Sequence, residues 1–331
     1  MHTSVRPRAD FSLASGDRLG ELTIIGHVAR GRVTELYQVW STDHWCALTG
    51  KIVTLPADGE EGPVPISFRR EVNVLRKLKH PNIVRYYGSG ESGGRSYLLL
   101  EYFAGPSLFD LLESLPRRRL HVPDAIRAIM HVGAAVHYLH RQGYLYRDLK
   151  PGNVLLREGI PILVDFDVVR KIDGKRPADR LGTAPYMAPE QVLREPLTPA
   201  ADVYGLGALL YEMLTGRWPT EEPAEDEEWN EWSEDRTTRN AVATNGEKMD
   251  DATLRKRYPQ IVTPPVPPRE HQVRLGADLE RIILRCLHTD PAERFQTVSG
   301  LLAALVPHLK GQHRLWPKTA PIERRADTRS R

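Results

Sequence analysis

The sequence predicts an α+β fold, because strand-like and helix-like apolar patterns occupy different parts of the chain. Before residue 104, short apolar runs separated by turn residues are typical of strands, and one amphipathic period predicts a main helix at residues 68–78. Beyond that point, apolar residues at helical spacing predict helices at residues 122–140 and 202–214. With 331 residues, 40% of them apolar, the chain can bury a substantial core and carry two lobes.

Composition argues against several classes of protein. The 46 Lys and Arg against 43 Asp and Glu leave a net charge of +3, too balanced to suggest a nucleic-acid-binding protein. No apolar run approaches the ~18 residues of a membrane span, and the basic N-terminus lacks the apolar core of a secretion signal. Cys46 and Cys286 lack metal-ligand spacing, so we expect buried free thiols. We therefore expect a cytoplasmic protein that binds neither nucleic acid nor membrane.

The elements of the first part follow from this patterning. Residues 1–19 show none of it and are expected to form a flexible arm. The predicted strands are Leu22–Ile25, Glu35–Trp40, Trp45–Val53 and Tyr97–Phe103. The helix has apolar residues at 68, 72, 75 and 78, and the sequence His80-Pro81 ends it.

The second part contains longer helices. Residues 122–140 are predicted to form a core-facing helix that ends just before Gly143. We interpret its histidines, His131, His137 and His140, as core or surface residues because no acid or cysteine cluster completes a metal site. Short strands at 153–156 and 161–164 are followed by apolar helices at 202–214 and 279–287.

Two segments depart from the compact pattern. Residues 220–269 are predicted to form an acidic and proline-rich insertion, with nine acids and no base between Glu221 and Asp235. A solvated, mobile insertion is the simpler interpretation, and docking of a basic protein, helped by Trp229 and Trp232, is the alternative. Residues 307–331 are predicted to form a basic tail.

Four side chains within 20 positions supply the chemistry of phosphoryl transfer. Asp148 and Asp165 are carboxylates, Lys150 is an ammonium and Asn153 is an amide. One carboxylate can take the proton of an incoming hydroxyl while the ammonium faces the moving phosphate. The amide oxygen and the second carboxylate can hold magnesium.

The order and spacing of these residues resemble a known family. Tyr146–Asn153 resembles the catalytic loop of protein kinases, and Gly182–Glu190 resembles their substrate-side loop with its Ala-Pro-Glu ending. From residue 20 to residue 306 the chain is similar to the eukaryotic-type serine/threonine protein kinase family and looks like a soluble, bacterial-style member. The resemblance implies a bilobal protein-kinase fold with an N-lobe at 20–103 and a C-lobe at 104–306.

This resemblance implies a role for each catalytic residue. Asp148 would be the catalytic base, Lys150 would face the transferred phosphoryl group, and Thr183 would contact both of them. Lys51 would reach the nucleotide phosphates while paired with Glu71.

The same resemblance implies an ATP site with magnesium. Asn153 and Asp165 would hold the metal ion. The glycine-rich loop, the phosphate-binding lysine and the hinge between the lobes would bind the nucleotide through Ala29, Gly31, Lys51, Leu100, Glu101 and Phe103.

Three motifs depart from the family pattern. Ala29 and Thr34 replace the outer glycines of the glycine-rich loop, and Tyr146 replaces a structural histidine. Asp167 replaces the glycine of Asp-Phe-Gly. Aspartate can adopt left-handed backbone angles more readily than most residues, yet at a higher cost than glycine, and its carboxylate could also approach the metal. We expect Asp167 to hold the turn more firmly in one conformation without loss of activity.

The activation loop lacks an ordinary phosphoacceptor. Between residues 165 and 190 the only hydroxyl residues are Thr183 and Tyr186, which belong to the closing motif. In related kinases the arginine at the position of Arg147 usually receives a loop phosphate. We expect a carboxylate to take that place, with Asp179 favoured over Asp173. The alternative is that both acids are solvated among the neighbouring lysines and arginines and that a partner protein orders the loop.

Three functions compete at this stage. An active protein kinase, acting on ATP and on Ser or Thr of protein substrates, is favoured by the complete catalytic set. A pseudokinase that binds nucleotide weakly or not at all and acts as a scaffold is the alternative, suggested by the missing glycines and Asp167. A small-molecule phosphotransferase is the third, opposed by Gly182–Glu190.

Overall fold

Six antiparallel strands form the sheet of the N-lobe. The computed structural model describes residues 12–31, 33–54, 64–220, 250–271 and 274–309. The strand order is β1-β2-β3-β4-β6-β5, with β1 Arg18–Leu19, β2 Leu22–Arg30, β3 Thr34–Ser41, β4 Cys46–Val53, β5 Tyr86–Ser92 and β6 Arg95–Glu101. Alternation along β3 buries Tyr37 and Val39 completely, which is the expected pattern for a sheet with one face on the core.

Helix α1, Ile66–Leu75, packs beside this sheet. Its buried residues include the apolar Phe68, Val74 and Leu75, and among them is the fully buried carboxylate Glu71. A buried charge requires a partner, and Lys51 on β4 provides one.

The N-terminal arm is shorter than the sequence predicts. Ser12 donates its backbone N–H to the buried carboxylate of Glu35 at 3.2 Å, and the Leu13 N–H donates to the Tyr37 hydroxyl at 3.2 Å. Leu19 is buried. The prediction of a flexible segment at 1–19 is therefore wrong for residues 12–19, because polar groups of β3 hold them; residues 1–11 lie outside the described residues.

Helices surround the buried α5 in the C-lobe. The elements after β6 are α2 Leu108–Ser114, α3 Val122–Arg141, β7 Tyr144–Leu145, β8 Val154–Arg157, β9 Ile160–Leu163, β10 Arg170–Lys171, α4 Pro189–Val192, α5 Pro199–Thr215, α6 Asp251–Arg257, α7 Pro268–His271, α8 Ala277–Cys286 and α9 Val298–Leu305. Every residue of α5 from Ala200 to Thr215 is buried, and Gly216 ends the helix at a left-handed φ of 70°. In the described ranges no helix combines the length and apolarity that crossing a membrane requires.

The predicted insertion at 220–269 is also too long. Leu254 of α6 and Tyr258 are buried against Met187, in the closing motif of the activation segment (residues 165–190), and against Val192 just beyond it. Residues 250–269 are therefore part of the C-lobe, because an apolar patch on the activation segment binds them. The acidic run and Trp229 and Trp232 lie outside the described residues, as does the basic tail beyond Leu309.

Candidate active site

The catalytic loop is held at its backbone by Asp202, the fourth residue of α5. One carboxylate oxygen accepts the Tyr146 N–H and the other accepts the Arg147 N–H, each at 2.8 Å. Arg147 has a φ of 77°, which is unfavourable for a residue with a long side chain, so these bonds hold a strained backbone. His140 Nε2 lies 2.7 Å from the same carboxylate. Sequence patterning placed His140 in the core or at the surface and missed this contact.

The predicted catalytic residues converge on Asp148. Thr183 donates its hydroxyl to Asp148 Oδ1 at 2.7 Å, and Asn153 Nδ2 donates to Oδ2 at 2.8 Å. Lys150 Nζ lies 3.1 Å from Oδ2, and all four side chains are buried. Residues from two separate segments, the catalytic loop and the loop that carries Thr183, thus fix the orientation of one carboxylate.

Lys51 forms the second centre of charge. Its Nζ lies 2.7 Å from Glu71 Oε2 and 2.8 Å from Asp165 Oδ1. Burial alone would lower the pKa of Lys51, but Asp165, Glu71 and Asp167 raise it well above its ordinary value. Burial acts to raise the pKa of Asp165, but the charge and hydrogen bond of Lys51, the charge of Lys150 and a hydrogen bond from the Asp167 backbone together hold it below its ordinary value. Lysine and aspartate are therefore both charged, and the predicted Lys51–Glu71 pair is present.

In the turn that follows β9, Phe166 contacts both Glu71 of the N-lobe and Tyr146 of the catalytic loop. The Phe166 N–H donates to Glu71 Oε1 at 3.1 Å, and its buried ring lies 5.3 Å from that of Tyr146 in an edge-to-face arrangement. The Tyr146 hydroxyl donates to the Val164 carbonyl at 2.5 Å, so tyrosine fills the structural position expected of histidine. These contacts join both lobes at the active site.

Asp165, rather than Asp167, adopts left-handed backbone angles. Its φ is 59°, whereas Asp167 is outside the positive region. Aspartate tolerates that region better than most residues, so the strained position carries a suitable side chain. The backbone cost expected for Asp167 is therefore absent, because replacing glycine there requires no left-handed angles.

Asp167 lies in the wall of a cavity at the phosphate end of the site. The cavity is lined by Val33, Thr34, Lys51, Ser67, Phe68, Glu71 and Asp167. Burial, followed by repulsion from Asp165, raises the pKa of Asp167 to about 7. The sequence identified the substitution but gave no indication that its side chain faces this cavity.

The predicted nucleotide-binding residues lie along the sheet and at its end. Ala29 pairs with Leu36 across β2 and β3, and the Gly31 N–H donates to the Thr34 carbonyl at 2.8 Å, closing the turn of the glycine-rich loop. A side chain at Gly31 would place Cβ only 3.1 Å from that carbonyl, so a close approach explains this glycine.

At the end of β6 the three predicted hinge residues have different surroundings. Leu100 is buried, and the Glu101 carboxylate binds Arg157 Nη1 at 2.8 and 3.1 Å. The side chain of Glu101 is thus engaged by Arg157, and its backbone N–H donates to the Arg85 carbonyl at 2.9 Å. Phe103 is half-buried and packs against the main core.

The oxygen ligands present fit a magnesium ion. Because Asn153 Nδ2 donates to Asp148, the amide oxygen is the atom that can act as a ligand, and Asp165 supplies a carboxylate. In the described ranges no three His, Cys, Asp or Glu side chains converge as a metal-binding group. Magnesium commonly takes one or two protein oxygens together with water and substrate phosphates, and this donor set meets that requirement.

Two glutamines hold the activation segment, and both were missed by sequence analysis. Gln191 Nε2 donates to the carbonyls of Arg147 and Leu181 at 3.0 and 2.5 Å. Gln260 Nε2 donates to the carbonyls of Ala184 and Met187 at 2.6 and 3.2 Å. No periodicity or motif signals such contacts, because each joins a single side chain to a distant backbone.

Asp179 does not fill the place beside Arg147. Within the described residues no carboxylate forms an ion pair with Arg147, whose guanidinium reaches the carbonyls of Val168 and Leu181 at 3.4 and 3.5 Å. Asp173 instead binds Arg170 Nη2 at 3.0 Å. The expectation that Asp179 or Asp173 takes the place beside Arg147 is therefore wrong, because Asp173 pairs with Arg170, three residues before it, and backbone carbonyls face Arg147 instead.

Comparison with known proteins agrees with this geometry. The protein kinase domain family matches residues 21–304, and the chain belongs to that family. It is 29% identical over 270 residues to the serine/threonine-protein kinase PknB of Mycobacterium tuberculosis, covering 77% of this chain and 37% of that protein. It is 30% identical over 311 residues to "Probable serine/threonine-protein kinase SCO3848" of Streptomyces coelicolor, covering 89% of this chain and 41% of that one. The chain thus spans less than half of the length of these curated relatives.

A solved structure confirms the fold. The kinase domain of Mycobacterium tuberculosis PknI superposes with a TM-score of 0.62 at 22% identity, covering 89% of this chain and 98% of that one. The predicted bilobal α+β fold and the resemblance to serine/threonine protein kinases are both confirmed. No comparison favours the pseudokinase alternative.

Proposed function

We propose that this domain transfers the γ-phosphoryl group of ATP, with magnesium, to serine and threonine hydroxyls of protein substrates. The observation that supports it best is the convergence of Lys150, Asn153 and Thr183 on Asp148. A base in a fixed orientation is ready to accept the proton of an entering hydroxyl, and the neighbouring ammonium can stabilise charge on the moving phosphoryl group.

The remaining residues of the site would bind the nucleotide and the magnesium ion. Lys51, which Glu71 holds, would bind phosphate oxygens. The backbone of the hinge that follows β6 and of the glycine-rich loop would position the nucleotide. Magnesium held by Asn153 and Asp165 would neutralise charge on the phosphates.

A transfer assay tests the proposal. Purified protein is incubated with γ-labelled ATP, magnesium and a generic basic protein, and the labelled amino acids are identified after hydrolysis. We expect label on serine and threonine, and its loss when EDTA replaces magnesium. Nucleotide binding without transfer to any protein would favour the pseudokinase alternative, and label on small alcohols alone would favour a small-molecule phosphotransferase.

The protein partners and the cellular compartment of the domain can be proposed from its charge and its use of ATP. The acidic run at 221–235 would attract basic substrate proteins, an attraction that salt should weaken. Because the reaction consumes ATP, the cytoplasm is the compartment we propose for the domain.

A further inference from the structure

Glu35 carries a buried carboxylate at the base of the glycine-rich loop, residues 29–34. It pairs with Arg30 across β2 and β3, where the two strands enter the loop. Thr34 lines the cavity beside Lys51, and because successive side chains of a strand point to opposite faces, Glu35 faces the other side of the sheet. Its side chain is only 1% exposed, so the negative charge requires partners.

The N-terminal arm, residues 12–17, supplies several of these partners. The Ser12 N–H donates to Glu35 Oε1 and Oε2 at 3.3 and 3.2 Å, and the Ser12 hydroxyl donates to Oε2. The Tyr37 hydroxyl donates to Oε2 at 2.5 Å, and Arg30 Nε lies 3.3 Å from Oε1. Burial acts to raise the pKa of Glu35, but these hydrogen bonds and the charge of Arg30 hold it below its ordinary value. The carboxylate is therefore charged and depends on the arm for part of its stabilisation.

The arm follows β2 toward the glycine-rich loop. The Ile24 N–H donates to the Asp17 carbonyl, and the Gly16 N–H donates to the Ile24 carbonyl, each at 2.9 Å. Further along the strand, His27 Nε2 lies 2.7 Å from the Leu13 carbonyl, and the Leu13 side chain packs against the small core of the sheet. These contacts bring the first described residue of the arm to the base of the loop.

We propose that this arm is a working part of the nucleotide site, because it binds Glu35 and so holds the glycine-rich loop in the arrangement that receives the nucleotide phosphates. Ser12 and Glu35 are positioning residues in this scheme, since they act through the loop and lie on the face of the sheet opposite to the cavity. The inference rests on the proposed function, because it concerns the same nucleotide site.

Release of the arm should weaken nucleotide binding by a measurable factor. When only a fraction of the molecules holds the binding arrangement, the apparent dissociation constant rises in inverse proportion to that fraction. Hydrogen bonds to a charged group contribute about tenfold or more to an equilibrium constant. By linkage, bound nucleotide must strengthen the docking of the arm by the same factor as the docked arm strengthens nucleotide binding.

Ser12→Asp is the variant that separates the arm from the loop, because it sets a second carboxylate against the buried charge of Glu35. Ser12→Thr is the conservative variant, which keeps both donors. Thr42→Asp is the matched control. The Thr42 hydroxyl donates to Glu21 Oε2 at 2.7 Å, beyond the end of β2 and β3 that lies away from the loop, so the same change is made on the same sheet.

Binding of a fluorescent ATP analogue with magnesium, followed by fluorescence polarisation, measures the affinity, and the transfer assay gives kcat and the KM for ATP. We expect Ser12→Asp to raise the dissociation constant and the KM about tenfold, with kcat within about twofold of wild type. Ser12→Thr and Thr42→Asp should stay within about twofold of wild type in all three quantities. Melting temperatures show that each variant is folded.

A double-mutant cycle tests whether the effect passes through Glu35. In a Glu35→Gln background the like charge is absent, so Ser12→Asp should change the dissociation constant by less than about threefold. Hydrogen exchange of the arm gives a readout without turnover. The Ser12 and Leu13 N–H groups donate to Glu35 and to the Tyr37 hydroxyl, and saturating analogue should slow their exchange in the wild type about tenfold.

Three results would overturn the proposal. The first is a dissociation constant that Ser12→Asp leaves unchanged, and the second is an equal effect of Ser12→Asp with and without the Glu35 carboxylate. The third is an equal loss of affinity in Thr42→Asp, which would show a general loosening of the sheet.

Failure of the proposed function has a different signature. Wild type would then bind the analogue and transfer no phosphoryl group, while the effect of Ser12→Asp on binding would remain. A wild type that binds no analogue at all would overturn both.

Discussion

Arg294 and Glu190 form a bidentate ion pair in the core of the C-lobe, although 104 residues separate them. Nη1 donates to Oε1 and Nη2 to Oε2, each at 2.8 Å, with side-chain exposures of 0% and 3%. The arginine also donates to the carbonyls of Ala200, Thr289 and His288. Since each guanidinium nitrogen has a partner, the desolvation of this pair is compensated. The pair joins the end of the activation segment to the last third of the chain.

Removing one partner should be strongly destabilising. We expect Arg294→Met to lower the free energy of unfolding by about 3–5 kcal/mol, because Glu190 would be left buried and unpaired. The double variant Arg294→Met, Glu190→Leu should recover part of this loss. Urea unfolding measures both. A single variant within about 1 kcal/mol of wild type would show that the pair contributes little.

Asp148→Asn should separate catalysis from binding. Turnover is expected to fall about 100- to 10,000-fold, since a positioned general base contributes on that order. Nucleotide affinity should stay within about twofold, because Asp148 contacts Lys150 and Thr183 rather than Lys51. Asp165→Ala, as the metal-ligand comparison, should lose magnesium-dependent nucleotide affinity as well as rate. Wild-type turnover in Asp148→Asn would disprove its role.

Glu212 should make stability depend on pH. It accepts a hydrogen bond from the Tyr186 hydroxyl at 2.6 Å, and burial raises the pKa of its carboxyl to about 7 from its ordinary 4.5. The folded state then binds more protons than the unfolded state between these values, so stability falls as pH rises from about 4.5 to 7. At about 1.4 kcal/mol per pKa unit, the loss is roughly 3 kcal/mol.

Glu212→Gln should remove this pH dependence. The variant is expected to be the more stable protein at pH 8 and to lose its advantage near pH 5. Denaturant unfolding at both pH values measures the difference in stability between the two proteins. An equal change of the unfolding free energy between the two pH values in wild type and variant would show that Glu212 does not titrate in this range.

Sequence analysis recovered the catalytic residues because their motif is local and chemically specific. Asp148, Lys150 and Asn153 lie within six positions, so their spacing alone indicates a common site. The Lys51–Glu71 pair was implied by the resemblance to protein kinases. The spacing of the catalytic loop is the part of the site that the sequence displays directly.

Contacts between a polar side chain and a distant backbone could not be predicted in this way. The Gln260 side chain donates hydrogen bonds to the carbonyls of Ala184 and Met187, and the Ser12 N–H donates to the carboxylate of Glu35. A hydrogen bond of this kind depends on where the folded chain brings unsatisfied groups, and it leaves no periodic pattern. For this reason the sequence predicts a terminal arm and an insertion that are both longer than those in the structure.

The acidic run at 221–235 should be dispensable for folding and for turnover of a small peptide. Long surface segments cost little in loop entropy, and this one shows no core-forming period. Deletion of these residues is expected to leave the melting temperature and peptide turnover unchanged. Gln260→Ala provides the contrast, because it removes two hydrogen bonds that hold the activation segment and should reduce turnover. A collapse of the deletion variant would show that Trp229 and Trp232 pack against the lobe.

The domain should be active without phosphorylation of its activation segment. Its hydroxyl groups are those of Thr183 and Tyr186, both buried and bound to Asp148 and Glu212 respectively. A phosphate on either would break these bonds and bury a dianion. Phosphatase-treated protein is therefore expected to keep its activity in the transfer assay.

The carboxylate that helps to order this segment should be Asp173. It binds Arg170 Nη2 and the Lys175 N–H, each at 3.0 Å, and Arg170 also donates to the Lys175 carbonyl at 2.9 Å. Asp173→Asn should thus lower turnover more than Asp179→Asn does. The effect should be at most about fivefold, because an exposed ion pair is weak and screened by salt. A mapped phosphosite between residues 165 and 190, together with activity that disappears on phosphatase treatment, would show that phosphate rather than Asp173 orders the segment.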